Sequence, residues 1–356
     1  MNKDKTLFVS CATLGSGGAE RVLSILSTPF AGEYGRVVYL LWLHHPVFYQ
    51  IDERVEIVDI TRKTQTNNII KKMAWFRQYV KVEKPDLILS FLYPWSMKVI
   101  LSLLCTPFKI VVAERQDPQL VRGGKPMLWL RSLLYRRASE IVVQTQENRK
   151  WYRGDVTTIY NPTGVTEEWI GKALKTEKEN VIVSVGRLIP QKNQEMLLNA
   201  FARFHRQHPD VNLIIYGEGE LRNDLLAQSK ELGISEHVQL PGNTSDVLGN
   251  IVKARAFVLS SSFEGMPNAL LEAMCVGLPC ISTKVSGTTE MIQDGESGYL
   301  VDLDNAEQMA EAMCRLYDNP DKAREMGERA SAICDLTKPE VIFGQWIEMI
   351  NKNIAK

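Results

Sequence analysis

The sequence predicts an α/β protein built from two doubly wound parallel sheets. Short apolar or β-branched runs alternate with longer helical patterns along the whole chain, which is the pattern of parallel-sheet domains. The 356 residues exceed the usual length of one domain, and 45% of them are hydrophobic, which is enough for two cores. This composition excludes a disordered or fibrous protein.

The predicted strands form one set in the first half and a second set in the other half. The first set is 6–11, 37–43, 55–60, 87–92, 110–113, 140–143 and 157–160, and the second is 181–185, 212–216, 238–240, 256–259, 280–282 and 298–301. Turn and linker composition at 161–164 and 172–180 separates the two sets. We therefore expect domains at 1–165 and 166–337, and a helix at 338–356 that packs back across their interface.

Charge is distributed unevenly along the chain. Residues 1–165 carry 23 Lys and Arg against 14 Asp and Glu, whereas residues 166–356 carry 19 against 28. A basic first half indicates contact with phosphates, nucleic acid or anionic lipid. The six cysteines include no Cys-x-x-Cys pair and the five histidines offer no zinc spacing, so we expect a reducing compartment and no structural metal.

Two segments bear on membrane insertion and export. Residues 87–108 are mostly apolar, but Pro94, Lys98 and Pro107 interrupt them, which favours a strand, a turn and a helix over a membrane span. The first apolar run stops by Leu14, too early for a signal peptide with a cleavage site. We expect a cytoplasmic protein.

A glycine-rich turn follows the first predicted strand. Gly15, Gly17 and Gly18 precede a helical pattern, and such a turn lets a phosphate or a sugar ring approach the backbone. A strand-to-helix turn that needs glycine only for its own geometry has the same sequence. The spacing is not that of a P-loop, and the second strand ends at Leu43 before two histidines, without the acidic residue that NAD binding requires.

The second half contains a stronger constellation. Arg187 and Lys192 lie in the loop after its first strand, where ligands bind in open α/β sheets, and together they can neutralise a diphosphate without a metal. Glu264 and Glu272 lie in and beyond another loop of the same kind, and Glu272 can accept hydrogen bonds from a ribose. Solvated loop cations and a chance acidic pair are the alternative interpretation.

Four motifs occur in order along the chain: Gly-Gly-Ala-Glu at 17–20, Gly186-Arg187 with Lys192 downstream, Glu264 and Glu272 with seven residues between them, and Asp-Gly-Glu-Ser-Gly at 294–298. Together they resemble the retaining glycosyltransferases of family 4. Those enzymes have the GT-B fold, in which two Rossmann-like domains face a cleft. The resemblance covers nearly the whole chain. Within the family, the chain most resembles bacterial enzymes that add hexose or N-acetylhexosamine to lipid-linked oligosaccharide, capsule or lipopolysaccharide.

The resemblance implies a nucleotide diphosphate sugar donor, most simply a UDP-sugar, and an acceptor that is a lipid-linked or cell-envelope glycan. It implies that Arg187 and Lys192 hold the diphosphate, that Glu264 contacts the transferring sugar, and that no cofactor or metal takes part. The other implied donor-binding residues are Glu272 on the ribose, Gly265, Met266 and Asn268 on the phosphates, Gly242 near the base, and Gly17 and Gly18 on the opposite wall.

One position departs from the family pattern. Many members carry a histidine after the strand that corresponds to 110–113, where this chain has Glu114 and Arg115. Arginine cannot act as a base near neutral pH, so Arg115 is expected to bind a phosphate or a sugar hydroxyl in the catalytic site. A nucleotide-sugar-binding module without transferase activity, or a GT-B phosphorylase, is the alternative function.

Asp302 and Asp304 resemble a metal-binding Asp-x-Asp pair. Asp304 precedes a helical pattern with Glu307 three positions later, which predicts a capping box and no metal site.

Basic and aromatic residues interleave in two predicted helices. They are Lys71, Lys72, Trp75, Phe76, Arg77, Tyr79 and Lys81 in one, and Arg122, Lys125, Trp129, Arg131, Tyr135, Arg136 and Arg137 in the other. This pattern favours an anionic membrane surface or a lipid diphosphate, with a core-facing stripe as the alternative and no nucleic-acid motif present. We expect peripheral attachment to the inner face of the cytoplasmic membrane.

Overall fold

The computed structural model describes residues 2–15, 17–118, 123–244 and 246–355. The strands are β1 Asn2–Cys11, β2 Tyr34–Leu41, β3 Glu56–Asp59, β4 Leu87–Phe91, β5 Ile110–Ala113, β6 Glu140–Val143, β7 Val156–Thr158, β8 Val181–Val185, β9 Asn212–Tyr216, β10 Val238–Gly242, β11 Ala256–Leu259, β12 Cys280–Thr283 and β13 Tyr299–Val301.

The helices are α1 Gly18–Glu33, α2 Ile60–Thr64, α3 Ile69–Glu83, α4 Tyr93–Ser102, α5 Gly124–Tyr135, α6 Glu167–Lys175, α7 Gln194–His205, α8 Arg222–Glu231, α9 Val247–Ile251, α10 Asn268–Cys275, α11 Thr288–Met291, α12 Ala306–Asp318, α13 Pro320–Ala330, α14 Ile333–Thr337 and α15 Pro339–Ala355. The chain divides into two compact units: unit 1 is Met1–Pro162 with Pro339–Lys356, and unit 2 is Thr163–Lys338.

Unit 1 is built on a parallel sheet of seven strands in the order β3-β2-β1-β4-β5-β6-β7, counted over the described ranges. Its central strands are continuous apolar runs, and every residue of β4 is buried, because helices cover both faces of the sheet. One face packs against α1 and α15, and the other packs against α3, α4 and α5.

The C-terminal helix α15 is part of unit 1, although the chain has passed through unit 2 before reaching it. Trp346 is fully buried and contacts the rings of Phe30 and Phe91, with centroids 6.4 and 5.9 Å away. Near the end of the helix, Asn353 donates a hydrogen bond to Glu140 of β6 (2.8 Å). The helix therefore contributes both apolar packing and a buried polar contact to this unit.

Unit 2 is built on a parallel sheet of six strands in the order β10-β9-β8-β11-β12-β13, again counted over the described ranges. Its main apolar cluster lies between the sheet and helices α7 and α12. Helix α10 is buried from Leu270 to Cys275 and packs against α9, α13 and α14. The α/β prediction with two doubly wound parallel sheets is confirmed.

The predicted cap of α12 is wrong by one residue. Asn305, not Asp304, caps the helix, and its Oδ1 accepts a hydrogen bond from the backbone of Gln308 (3.0 Å). Asp304 has a left-handed φ of 56° and accepts a hydrogen bond from Asn193 (2.7 Å), whereas Asp302 pairs with Lys284 (2.7 Å). The left-handed turn at Asp304 shifts the start of the helix, and sequence spacing alone does not reveal it.

Within the described ranges, none of the helices has both the length and the apolar character needed to cross a bilayer.

Candidate active site

Two loops of unit 2 meet at the carboxyl edge of its sheet. One follows β8 and the other follows β11, and these strands pair directly in parallel, so their loops leave the same edge side by side. Lys192 of the first loop donates a hydrogen bond to Oε1 of Glu264 in the second loop, forming an ion pair. Ser261 donates to the same carboxylate oxygen (2.8 Å). The structure therefore brings together two of the residues that the sequence singled out.

Further hydrogen bonds hold the two loops in register. The hydroxyl of Ser260 donates to the carbonyl of Lys192 (2.7 Å), and the backbone N–H of Ser262 donates to the carbonyl of Gln191 (2.9 Å). The side-chain amide of Gln191 donates to the carbonyl of Phe263 (3.0 Å). The position of Lys192 against Glu264 is thus fixed by the backbone of both loops, which favours a preorganised charged site.

Arg187 differs from Lys192 in its exposure and its partners. The side chains of Lys192 and Glu264 are 17% and 10% exposed, whereas Arg187 is an exposed residue. Its carbonyl accepts a hydrogen bond from the side chain of Gln194 (2.9 Å), which orients the residue. Over the described part of the chain the guanidinium of Arg187 has no hydrogen-bond or ion-pair partner, so its charge is available to an anionic ligand.

The second loop leads from Glu264 into the amino end of α10. A side chain at Gly287 would collide with the carbonyl of Gly265, so the turn before α11 packs directly on this loop. Met266 is buried and Asn268 is the first residue of the helix, whose first turn contains no acidic residue. The positive end of the helix dipole favours an anion at this place.

Glu272 and Gly242 lie in the same unit but in different surroundings. Glu272 is the fifth residue of α10 and is 1% exposed. Its contact with a ribose stays a prediction. Gly242 ends β10 with a φ of +94°, a conformation that disfavours other residues, and its carbonyl accepts a hydrogen bond from Gly217 (2.9 Å). Since β10 is two strands from β8, Gly242 lies on the same carboxyl edge.

Gly17 and Gly18 lie at the start of α1 in unit 1. Gly17 is the N-cap residue, and Glu20 occupies the first turn of the helix. The carboxylate of Glu20 accepts a hydrogen bond from Thr13 (3.3 Å) and adds negative charge where a phosphate would bind. This arrangement favours a sugar ring, or a purely structural turn, over a phosphate at α1.

Arg115 is buried at the carboxyl end of β5 in unit 1. Its Nη1 donates to the carbonyl of Ile159 (3.0 Å) and to Asn161 (3.2 Å), and the guanidinium lies over the ring of Trp346 (5.0 Å). Burial lowers the pKa of Arg115 to about 9, although adjacent Glu114 acts in the opposite direction. Arg115 therefore carries a charge at neutral pH and cannot accept a proton there.

Sequence reasoning placed several residues of the basic and aromatic helices wrongly on the surface. Arg131 is 2% exposed and donates to the carbonyl of Pro118 (3.1 Å), while Tyr135 and Lys72 are also buried. Their polar ends have hydrogen-bond partners inside unit 1, so the apolar parts of these side chains pack in its core. Arg122 lies outside the described residues. The exposed members on and beside α5 are Lys125, Trp129 and Arg136.

Two further residues make polar contacts that the sequence motifs do not indicate. Ser261 holds Glu264, and the serine run before Glu264 was the available signal. Glu114 contacts Tyr135, and nothing in the spacing of these two residues indicates that they meet.

Residues 165–332 match the family described as glycosyl transferases group 1. One similar protein is the Campylobacter jejuni GalNAc-α-(1→4)-GalNAc-α-(1→3)-diNAcBac-PP-undecaprenol α-1,4-N-acetyl-D-galactosaminyltransferase, 26% identical over 352 residues, which are 95% of this chain and 96% of the relative. Another, from the same organism, is the N-acetylgalactosamine-N,N'-diacetylbacillosaminyl-diphospho-undecaprenol 4-α-N-acetylgalactosaminyltransferase, 28% identical over 345 residues, which are 88% and 90% of the two chains.

Two solved structures show the same fold. Anabaena HepE, solved in complex with UDP and glucose, aligns with a TM-score of 0.80 and 19% identity over 98% of this chain and 99% of that one. TarM aligns with a TM-score of 0.81 and 13% identity over 98% and 99%. Residues 165–332 belong to the group 1 glycosyltransferases, the chain is similar to enzymes of that kind over nearly its whole length, and its two parallel sheets have the GT-B fold.

Proposed function

We propose that this glycosyltransferase moves a hexosyl or N-acetylhexosaminyl group from a UDP-sugar to a lipid-linked or cell-envelope glycan, with retention of configuration. The observation that supports it most is the contact of Lys192 with Glu264 and Ser261 beside the exposed Arg187. Two cations, a carboxylate and a helix amino end meet at one sheet edge. This combination fits a sugar attached to a diphosphate.

Transfer breaks the bond between the anomeric carbon and the diphosphate oxygen, and the oxygen of an acceptor hydroxyl forms the new bond to that carbon. Negative charge grows on the leaving diphosphate, which takes up the proton of the acceptor hydroxyl. In this proposal Arg187 binds the diphosphate and stabilises that charge, since its guanidinium has no other partner in the described chain. Lys192 shares its charge between Glu264 and the diphosphate. Glu264 accepts hydrogen bonds from the transferring sugar through the carboxylate oxygen that Ser261 leaves open.

The donor and acceptor classes are supported by the relatives. The two Campylobacter jejuni proteins are named as transferases of N-acetylgalactosamine to undecaprenol-linked glycans, and this chain spans nearly their whole length. Other relatives are named for amylovoran biosynthesis and for lipopolysaccharide core biosynthesis. We therefore place the protein in polysaccharide or lipopolysaccharide assembly, with Arg115 binding an anionic or hydroxyl group of a substrate.

We also propose that unit 1 binds an anionic membrane surface in the cytoplasm. Trp129 and Leu133 of α5 are exposed, with Lys125 and Arg136 close in sequence and also exposed. An amphipathic ring and cations on one helix suit the interface of an anionic bilayer. Arg131, buried inside the unit, is no longer part of this surface.

The experiment that tests the function is a donor panel. The protein is incubated with UDP-GalNAc, UDP-GlcNAc, UDP-glucose and UDP-galactose in the presence of a bacterial membrane lipid extract, and products are identified by mass. A lipid product larger by one sugar residue, with an α linkage by NMR, supports the proposal. Release of sugar 1-phosphate that requires inorganic phosphate identifies a phosphorylase instead, and no transfer from any donor contradicts the proposal.

A further inference from the structure

Ser261 is a buried serine in the loop between β11 and α10, three residues before Glu264. It is 0% exposed, so its side chain does not reach a ligand. Its hydroxyl donates a hydrogen bond to Oε1 of Glu264 (2.8 Å), the same oxygen that accepts from Lys192. Two donors therefore share one carboxylate oxygen, whereas Oε2 has no hydrogen-bond partner among the described residues.

The two donors differ in how firmly the protein holds them. Lys192 reaches the carboxylate through a flexible four-carbon stem, and its ammonium group has three N–H donors that it can share with an anion. The hydroxyl of Ser261 is only one carbon away from the backbone, so its position follows from the loop itself. Of the two donors, Ser261 is the one that can fix the carboxylate of Glu264.

The neighbouring strand fixes the backbone of Ser261. Thr283 is the last residue of β12, which pairs in parallel with β11, and it is also 0% exposed. Its hydroxyl donates to the carbonyl of Ser261 (2.6 Å). The close approach of Gly287 to the carbonyl of Gly265 adds a second contact from the turn after β12. The loop that carries Glu264 is therefore supported at two points.

We propose that Ser261 is a positioning residue for the donor sugar: its hydroxyl holds Oε1 of Glu264, so that Oε2 is left to accept from the sugar, and Thr283 holds Ser261. This inference rests on the contact between Glu264 and the transferring sugar proposed above. It makes recognition of the sugar depend on two buried hydroxyls that touch no substrate.

The physical reason is the ordering of the carboxylate. A glutamate side chain in a loop loses conformational entropy when a ligand fixes it, and that loss weakens binding. With Ser261 in place, the carboxylate is already ordered, and Lys192 can turn towards the diphosphate without releasing Glu264. Removal of the hydroxyl should therefore weaken the contact with the sugar and leave the contacts with UDP nearly unchanged.

The test compares two dissociation constants measured by calorimetry: the Kd of UDP and the Kd of the UDP-sugar of the four-donor panel that binds the parent most tightly. The ratio of the two Kd values isolates the effect of the sugar. In Ser261→Ala the UDP-sugar should lose about tenfold in affinity relative to UDP, the size of effect expected for a hydrogen bond to a charged group. The Kd of UDP itself should stay within about twofold of the parental value.

Two substitutions of Thr283 test the support of Ser261. Thr283→Val removes the hydroxyl and should weaken binding of the UDP-sugar relative to UDP about threefold, because the carbonyl of Ser261 loses a neutral donor. Thr283→Ser keeps a hydroxyl and should retain the parental ratio. The matched control is Ser229→Ala, since Ser229 is a buried serine of α8 whose hydroxyl donates to the carbonyl of Leu226 (2.8 Å). It should leave both Kd values unchanged.

Glu264→Gln separates this inference from the function on which it rests. If Glu264→Gln lowers the relative affinity for the UDP-sugar and Ser261→Ala does not, the positioning role is wrong and the proposed function stands. If neither variant changes the ratio, the contact between Glu264 and the sugar is wrong, and this inference fails with it. A parent that binds neither UDP nor a UDP-sugar contradicts the donor class itself.

A purely structural role for Ser261 predicts a different result. If Ser261→Ala weakens UDP and the UDP-sugar equally, the hydroxyl supports the loop as a whole and the positioning role is wrong. If Ser261→Ala does not fold, the Thr283 variants decide, and equal ratios in Thr283→Val and Thr283→Ser overturn the proposal. With a donor that supports transfer, Ser261→Ala should lower kcat/KM for that donor about tenfold while inhibition by UDP stays parental.

Discussion

Both units carry a carboxylate and a cation after a strand, but these groups contact each other in unit 2 and contact other residues in unit 1. In unit 2, Lys192 and Glu264 keep part of their side chains exposed and share contacts with Ser261. In unit 1, Glu114 and Arg115 are enclosed by aromatic rings and by a second arginine. Burial moves the pKa values of Glu114 and Arg115 towards neutrality, to about 7 and about 9.

Residue type alone does not fix the chemistry of a carboxylate and a cation that follow a strand. The Lys192–Glu264 ion pair lies at the sheet edge with part of both side chains exposed, so it can share its contacts with a ligand. The buried carboxylate of Glu114 has lost its solvation, which raises its pKa to about 7, so its protonation state depends on pH near neutrality. The first arrangement suits charge stabilisation on a leaving diphosphate, whereas the second gives a buried carboxylate that responds to pH.

The largest expected effect is on turnover and tests the candidate site in unit 2. Arg187→Ala and Lys192→Ala should each lower turnover about 100-fold or more, the loss typical for one charge-stabilising group in an active site. Arg203→Ala is the control, because Arg203 is an exposed arginine on α7, the helix that follows the Lys192 loop. Steady-state rates with the active UDP-sugar measure all three. Near-parental turnover in both Arg187 and Lys192 variants would remove their assigned roles.

The next effect tests the buried carboxylate of Glu114 through the free energy of unfolding. Folding raises the pKa of Glu114 from 4.5 to about 7, so the folded protein binds this proton more tightly than the unfolded chain. Its contribution to the free energy of unfolding is present below pH 4.5 and is lost as the pH rises to about 7. We expect a loss on the order of 2 kcal/mol in the parent that Glu114→Gln does not show.

Urea unfolding at pH 5 and pH 8 measures this difference, with Glu140→Gln as the contrast. Burial alone would raise the pKa of Glu140, but hydrogen bonds from Thr157, Asn353 and Lys352 outweigh it and hold the pKa below its ordinary value. The contribution of Glu140 therefore has the opposite sign and is lost as the pH falls. If the free energy of unfolding depends on pH equally in the parent and in Glu114→Gln, the raised pKa of Glu114 is contradicted.

A smaller effect concerns the exposed face of α5. Trp129 is 68% exposed, and replacing Trp129 with Ala together with Lys125→Glu and Arg136→Glu should weaken binding to phosphatidylglycerol vesicles about tenfold or more. The effect should diminish in high salt. Lys230→Glu with Lys322→Glu makes the same charge change on exposed residues of unit 2 and should leave vesicle sedimentation unchanged. If both sets sediment like the parent, α5 does not bind the membrane.

The smallest expected effect is that of a chelator. Arg187, Lys192 and the amino end of α10 provide positive charge where a divalent ion would otherwise bind the diphosphate. Transfer in excess EDTA should therefore remain within about twofold of the untreated rate. Loss of activity that magnesium or manganese restores would show that these groups are insufficient.

The two parallel sheets and the main elements of the candidate site in unit 2 are predictable from local sequence patterns. Continuous apolar runs such as Leu87–Phe91 can be satisfied only by strands buried on both faces, so periodicity was enough to find them. Arg187, Lys192 and Glu264 were also identifiable, because loops after neighbouring parallel strands leave the same sheet edge. Local spacing carries this information.

Local patterns do not reveal which charged residues are buried, because that depends on long-range packing. Arg131, Tyr135 and Lys72 have the pattern of a surface helix, yet each is buried because a carboxylate or a carbonyl from a distant segment receives its polar end. The placement of α15 in unit 1 is equally non-local, since it depends on Trp346 packing between Phe30 and Phe91. Burial and partner choice arise from contacts between residues far apart in the chain, and these set the pKa values that a linear pattern cannot contain.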